Sequence, residues 1–366
     1  MAEFTSRPSK VFDTFRANLP TMKGKTLALT GCTSGTGYVC AREAVASGGR
    51  ILALNRPSSR AANALASLKA HCNDGGSIEQ IDCDLGKLSS VAAAATAVTT
   101  ACGGSLDQLV CNAGIMGFPQ QLTDDGYEIQ MQSNHLGHWL LIRSLMPCLE
   151  AAAANGEARI ILHSSGAALK PASKKSPAIP ALDSQYLKSG GVTTDADGMG
   201  DGLKARFRRY QQSKLAQLVA GTALSEALVA KGSSVKVLMC NPGLAATGLI
   251  KKLTDTKTSA FSALGLMGGV FGLIKGMIPT MEEGAIPLMV CVFRADVSTG
   301  EFWAPRRRVK KQYKSKQVKP VEPVNCMVAD VLIAERGPNA WDVIHDEAAK
   351  TMCIELSDAA VSAHLK

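Results

Sequence analysis

From residue 26 to residue 243 the chain alternates short apolar stretches with longer segments rich in helix formers. The run TLALT at 26–30 has the length and composition of a buried strand, and Tyr38 to Val45 reads as the helix that follows it. The same alternation predicts strands at 49–55, 77–85, 106–114, 158–165 and 235–243. Helices are predicted between them at 58–71, 89–101, 126–153 and 206–230. Strands separated by helices imply parallel βαβ units, hence an α/β fold with a doubly wound, Rossmann-type parallel sheet in a single domain. Ligands of such sheets bind beyond the carboxyl ends of the strands. That rule directs attention to Asn112, Ser165 and the pair Pro242-Gly243, which all stand at predicted strand ends.

The turn between the first strand and the first helix holds Gly31, Gly35 and Gly37 with Thr33, Ser34 and Thr36 between them. Glycine permits a tight turn and close backbone approach, and the amides and positive dipole end of a following helix favour an anion. A phosphate-bearing ligand is the chemistry this turn suits; a tight turn with no ligand is the alternative. Further along, Tyr210 and Lys214 in YQQSK are four apart on a predicted helix and share a face. An ammonium beside a phenol favours the phenolate, which would let Tyr210 move a proton near neutral pH.

Composition narrows the field. The chain has 366 residues, 46% of them hydrophobic, enough for a substantial core. No apolar run reaches the ~18 to 20 residues of a spanning helix, the nearest being the glycine-rich 259–274, so a soluble protein is expected. Residues 1–20 contain no apolar core of a secretory signal. The cysteines, 11 in all, lack metal-ligand spacing and are odd in number, which points to a reducing compartment, cytoplasm or organelle stroma, and to no metal site. The net charge of +9 is concentrated at 306–319, RRRVKKQYKSKQVK, a run suited to an anionic membrane surface or an acidic partner and otherwise a solvated loop. It lacks the aromatic platform of a nucleic-acid site.

Taken together, Thr30-Gly31-Gly35-Gly37 (TGxxxGxG), Asp84, the NAG motif Asn112-Ala113-Gly114, Asn134 in SNHLGH, Ser165 at the end of IILHSS, Tyr210-Lys214 and Pro242-Gly243 resemble the short-chain dehydrogenase/reductase family over roughly residues 24–305. The resemblance implies a catalytic tetrad of Asn134, Ser165, Tyr210 and Lys214, with Ser164 the adjacent alternative to Ser165. It implies a nicotinamide dinucleotide held by Gly31, Thr33, Ser34, Gly35, Thr36, Gly37, Asp84, Leu85, Asn112, Ala113, Gly114, Tyr210, Lys214, Pro242, Gly243 and Thr247. The second predicted strand ends in Asn55-Arg56 instead of an acid, which implies NADP(H) with Arg56 on the 2′-phosphate and Arg60 as a second contact. SNHLGHWLL and NPGLAATGL look like the retinol dehydrogenase and protochlorophyllide reductase branch, so the expected function is carbonyl–alcohol interconversion on a lipophilic substrate, with reduction of an activated double bond as the alternative. A non-catalytic scaffold using 306–319 is the rival from another class. The expected layout is an N-terminal extension at 1–23, the catalytic domain at 24–305 with an insertion at 166–203 and a substrate flap at 249–279, and a basic segment with a C-terminal helix at 306–366. Members of the family often pair through mid-chain helices, so a homodimer is among the expected assemblies.

Overall fold

A computed structural model of the protein describes residues 8–168, 182–191, 200–243, 280–305, 324–325 and 343–365. Thr247, the segment 249–279, the basic run 306–319 and much of 166–203 lie outside the described residues. Seven parallel strands form the sheet: β1 (Thr26–Thr30), β2 (Arg50–Asn55), β3 (Ser77–Asp82), β4 (Gln108–Cys111), β5 (Ala158–His163), β6 (Val235–Cys240) and β7 (Phe302–Ala304). Their order is β3-β2-β1-β4-β5-β6-β7, and β8 (Val324–Asn325) adds an antiparallel edge to β7. Strand order reverses between β1 and β4, which lie side by side, so their carboxyl ends open a crevice.

Helices cover both faces. α2 (Gly35–Ala46), α3 (Ser59–Lys69), α7 (Met281–Phe293) and α1 (Lys10–Arg16) share one hydrophobic layer. On the other face lie α4 (Leu88–Ala101), α5 (Gly137–Ala153), α6 (Leu203–Ala230) and α8 (Glu347–Val361). Burial on both faces explains why β1, β4 and β5 read as continuous apolar runs with no alternation.

Three details depart from the sequence reading. The first helix starts at Gly35, ahead of Tyr38, because the glycines form its opening turn. The predicted helix 126–153 is a short turn, Ile129–Met131, followed by a π-helical segment, Gln132–Leu136, and then α5. The extra residue of a π turn rotates one side chain out of helical register, a device frequent at functional sites, and here the segment carries Asn134. The reading also gave no element to α7, whose apolar run MEEGAIPLMVCVF is interrupted by Gly284 and Pro287. Its start was nonetheless written in the sequence: Thr280 and Glu283 form a reciprocal capping box.

Candidate active site

Construction begins at the glycine turn. Gly31 has a φ of +78°, and a Cβ there would lie 2.9 Å from Ala113 Cα. A Cβ on Gly37 would lie 2.2 Å from Asn112 Nδ2 and 2.4 Å from the Gly31 carbonyl. The turn is therefore glycine because β1, α2 and the end of β4 meet backbone to backbone. Asn112 locks this meeting: Nδ2 donates to the carbonyls of Thr30 (2.9 Å) and Gly31 (3.2 Å), while Oδ1 accepts from Thr36 Oγ1 (3.2 Å) and from His163 Nδ1 (2.7 Å).

Thr30 is the second lock. Its hydroxyl accepts the backbone N–H of Asn112 and of Ala113, both at 3.0 Å. His138 Nδ1 lies 2.9 Å from the carbonyl of Asn134, an acceptor, so that nitrogen carries the proton. The bare Nε2 then accepts from the Thr30 hydroxyl at 2.9 Å. Burial holds His138 neutral, its pKa lowered to about 4, and His163 likewise to about 3.

This framework leaves the N-terminus of α2 open. Its N-cap, Ser34, makes no capping hydrogen bond, and the first turn holds no acid. At the neighbouring strand end Asn55 Oδ1 accepts from the Cys32 N–H at 2.9 Å, Arg56 is exposed, and Arg60 Nε is buried without a hydrogen-bond partner among the described residues. Asp84 Oδ1 accepts from Gly86 N at 2.9 Å, and Leu85 is buried beside it. Gly243, with φ +71°, turns the chain after Pro242 against Pro305. These residues stand at or just beyond the carboxyl ends of the parallel strands, and the uncapped N-terminus of α2 with guanidinium groups at the end of β2 has the chemistry to receive a dinucleotide's phosphates.

The tetrad residues meet at its edge. Tyr210 is 6% exposed, and the Ser165 hydroxyl donates to its phenol oxygen. Burial raises the phenol's pKa and that hydrogen bond opposes the rise. The Lys214 ammonium donates to the His163 carbonyl (2.8 Å) and to Gln217 Oε1 (3.2 Å). Lys214 itself is lowered to about 8, burial being the main cause. A Cβ on Gly114 would lie 3.4 Å from Lys214 Nζ and 3.2 Å from Asn134 Oδ1, so both groups converge over that glycine. Asn134 clamps the loop beyond β4, accepting from Ile115 N (2.8 Å) and donating to Ile115 O and Ser213 Oγ (2.9 Å each). The two adjacent serines divide their work. Ser164 is buried and donates to the Lys214 carbonyl at 3.0 Å, pinning α6, whereas Ser165 faces Tyr210.

His163, Ser213 and Gln217 were not singled out from the sequence. Ser213 and Gln217 sit on α6 at helical spacing from Tyr210 and Lys214, a usable signal; nothing marked His163.

The chain is similar to known proteins over most of its described length. The family described as short chain dehydrogenase matches residues 25–177. A short chain dehydrogenase/reductase, dpchH, of Colletotrichum higginsianum is 31% identical over 232 residues, 62% of this chain and 56% of that protein. Polyprenol dehydrogenase of Danio rerio is 30% identical over 237 residues, 64% of this chain and 66% of that protein. Human retinol dehydrogenase 14 is 30% identical over 240 residues, 62% of this chain and 64% of that protein. The chain thus spans 56 to 66% of the length of these relatives. A solved protein from Mycobacterium paratuberculosis superposes with a TM-score of 0.63 over 95% of this chain and 97% of its own, at 23% identity, a likeness of fold.

Proposed function

We propose, on the premise that the chain belongs to the short-chain dehydrogenase/reductase family, that it is an NADP(H)-dependent oxidoreductase interconverting carbonyl and alcohol on a lipophilic substrate. The observation that carries the reading is the convergence of Lys214 Nζ and Asn134 Oδ1 over Gly114, 3.4 and 3.2 Å from a Cβ built there, with Tyr210 one turn before Lys214 on α6 and Ser165 acting on its phenol. The relatives' names supply the substrate class: retinol and polyprenol are long apolar alcohols.

In the reducing direction the phenol of Tyr210 donates its proton to the substrate oxygen as general acid, and in the oxidising direction it accepts one. Ser165 donates a hydrogen bond to that same oxygen while negative charge grows on it. When bound, the dinucleotide supplies or receives the hydride. Lys214 has three donors, two of them on His163 O and Gln217 Oε1, and the third would be available to hold the bound dinucleotide. Asn134 holds Ile115 and Ser213 in place beside Lys214.

The test is incubation of the purified protein with NADPH and a panel of retinoids, polyprenals and simple aldehydes, following nicotinamide absorbance, beside Tyr210→Phe. The wild type should consume NADPH with at least one lipophilic carbonyl. Tyr210→Phe should bind NADPH normally and lose ~10²- to 10⁴-fold in turnover. Full activity in Tyr210→Phe would remove the mechanism.

A further inference from the structure

Beside Tyr210 on α6 lies an ionic cluster, with Arg209 and Glu128 buried and Asp201 and Arg206 partly exposed, that no motif and no part of the proposed chemistry accounts for. Arg209, the residue before Tyr210 on α6, is 0% exposed, although a guanidinium keeps its charge in any protein. Its fork reaches separate chain segments. Nη2 donates to Asp201 Oδ1 at 2.7 Å, Nη1 to the Gly200 carbonyl at 3.3 Å, and Nε stands 3.8 Å from Glu128 Oε1. Asp201 Oδ1 also accepts from the backbone N–H of Gln120 at 2.7 Å, and its Oδ2 accepts from Arg206 Nη2 at 2.7 Å. Glu128 caps the turn leading to Asn134, accepting from Met131 N at 2.8 Å. Gln130 completes the frame, accepting from Gly117 N at 2.9 Å and donating to the Arg206 carbonyl at 3.1 Å.

We propose that Arg209 is a positioning residue for substrate selection: it fixes the loop beyond β4, the chain entering α6 and the turn before Asn134 to the helix turn that carries Tyr210. The inference deepens the oxidoreductase reading and rests on it. Burying a cation costs more than packing an apolar side chain of similar volume, so stability alone gives no reason for a guanidinium here. What an arginine adds is a planar fork able to hold an acid and a carbonyl at fixed angles, which a lysine cannot reproduce. Through Asp201 it holds the backbone of Gln120, which belongs to the loop continuous with Ile115, the residue Asn134 clamps. A small displacement of that loop changes the room beside the phenol, and misplacement of reacting groups by about 1 Å can cost about 10²-fold.

The experiment uses Arg209→Lys, which keeps the charge and loses the fork, and Asp201→Asn, which keeps the shape and weakens the tie. Each is compared with wild type in three measurements: NADPH affinity by fluorescence, KM and kcat for a bulky and a small aldehyde, and the Tyr210 phenol titration read as the ultraviolet difference from Tyr210→Phe. Both variants should bind NADPH as wild type does, raise KM for the bulky aldehyde about tenfold with a smaller change for the small one, and shift the phenol titration. An unchanged size preference with an unchanged phenol titration overturns the proposal, as does a parallel loss of NADPH affinity and of activity on both aldehydes. If the wild type itself reduces neither aldehyde, the oxidoreductase reading fails, and the phenol titration still decides whether Arg209 positions Tyr210.

Discussion

Two walls of the same crevice are built from opposite materials. The proposed cofactor wall, at the ends of β1, β4 and β5, is held by neutral groups: Thr30, Asn112, His138 and His163 exchange hydrogen bonds with one another and with the backbone of the glycine turn. The proposed substrate wall is held by an ionic cluster: Arg209, Asp201, Arg206 and Glu128. Neutral bonds among short side chains fix backbone against backbone with little room for adjustment, which suits a turn that must present amides to a phosphate. Long charged side chains bridge segments far apart in sequence, so the wall they make can differ in shape while the fold stays the same. The physics predicts that the two walls respond differently to added volume, to pH and to charge.

Added volume should have the largest effect. In Gly37→Ala the new methyl meets Asn112 Nδ2 and the Gly31 carbonyl at 2.2 and 2.4 Å, and neither can move without breaking the turn. Overpacking of this kind costs about 1 to 3 kcal/mol, and dinucleotide affinity should collapse with it. In Gly126→Ala, on the substrate side, the methyl meets Ser189 Oγ at 2.4 Å, a side chain free to rotate, although the φ of +84° adds strain. Thermal unfolding and NADPH fluorescence should therefore show Gly37→Ala losing cofactor binding and Gly126→Ala keeping it. Equal loss in both would end the contrast.

Acid and base should pull the walls in opposite directions. Burial holds His163 to about 3 and His138 to about 4, well below the unfolded value near 6.5. The unfolded chain then binds more protons than the folded one below pH 6.5, so stability is complete above that pH and falls as pH drops toward 4, by up to about 1.4 kcal/mol per pH unit for each histidine. Glu128 is raised by burial to about 7 against the opposing pull of Met131 N and Arg209. A raised carboxyl contributes stability below its unfolded pKa and loses it as pH rises through the folded one, here between about 4.5 and 7. Glu128→Gln should thus gain on wild type as pH rises across that window, by about 1 to 3 kcal/mol, then run parallel above it. Urea denaturation at several pH values measures this, and a difference independent of pH would show that Glu128 does not titrate there.

The contrast also explains what the sequence disclosed. The cofactor wall is assembled from residues adjacent in the chain, TGCTSGTG and NAG, whose glycines are demanded by close backbone approach; the chemistry is therefore written locally. Most of the central strands were legible for a similar reason, since burial on both faces leaves largely apolar runs, whereas β3, SIEQID, lies mostly unburied at the edge. The three-residue β7 is too short to stand out. Glu128, Asp201 and Arg209 are each an ordinary charged residue in a polar stretch, and only folding brings them together. The π turn at Gln132–Leu136 was likewise illegible, because an inserted residue changes register without changing composition. Tyr210 and Lys214 were found by spacing, yet the state of the phenol, raised by burial and answered by Ser165, depends on tertiary surroundings that spacing does not encode.

The smallest expected effect concerns charge at the outer edge of the cofactor wall. A β2 strand ending in a carboxylate would accept hydrogen bonds from a ribose and repel a 2′-phosphate. Here β2 ends in Asn55, whose Oδ1 is already committed to the Cys32 N–H at 2.9 Å, and Arg56 follows, exposed and able to pair with a phosphate in bidentate fashion. Arg60 stands on the first turn of α3 with Nε buried and unpartnered among the described residues, so a phosphate at this edge would meet two guanidinium groups. A charge-assisted hydrogen bond of this type is worth about 1.5 to 3 kcal/mol, and solvent at the exposed Arg56 places its share at the low end, a preference of about tenfold for NADPH over NADH. Arg56→Asp removes the pairing and adds repulsion, so the preference should vanish or invert while turnover with saturating cofactor persists. Arg60→Met should lower NADPH affinity and leave NADH affinity alone. Fluorescence titration of both dinucleotides against the three proteins decides the matter: a wild type that binds NADH more tightly than NADPH would show that the arginines at this edge serve solvation and not a phosphate.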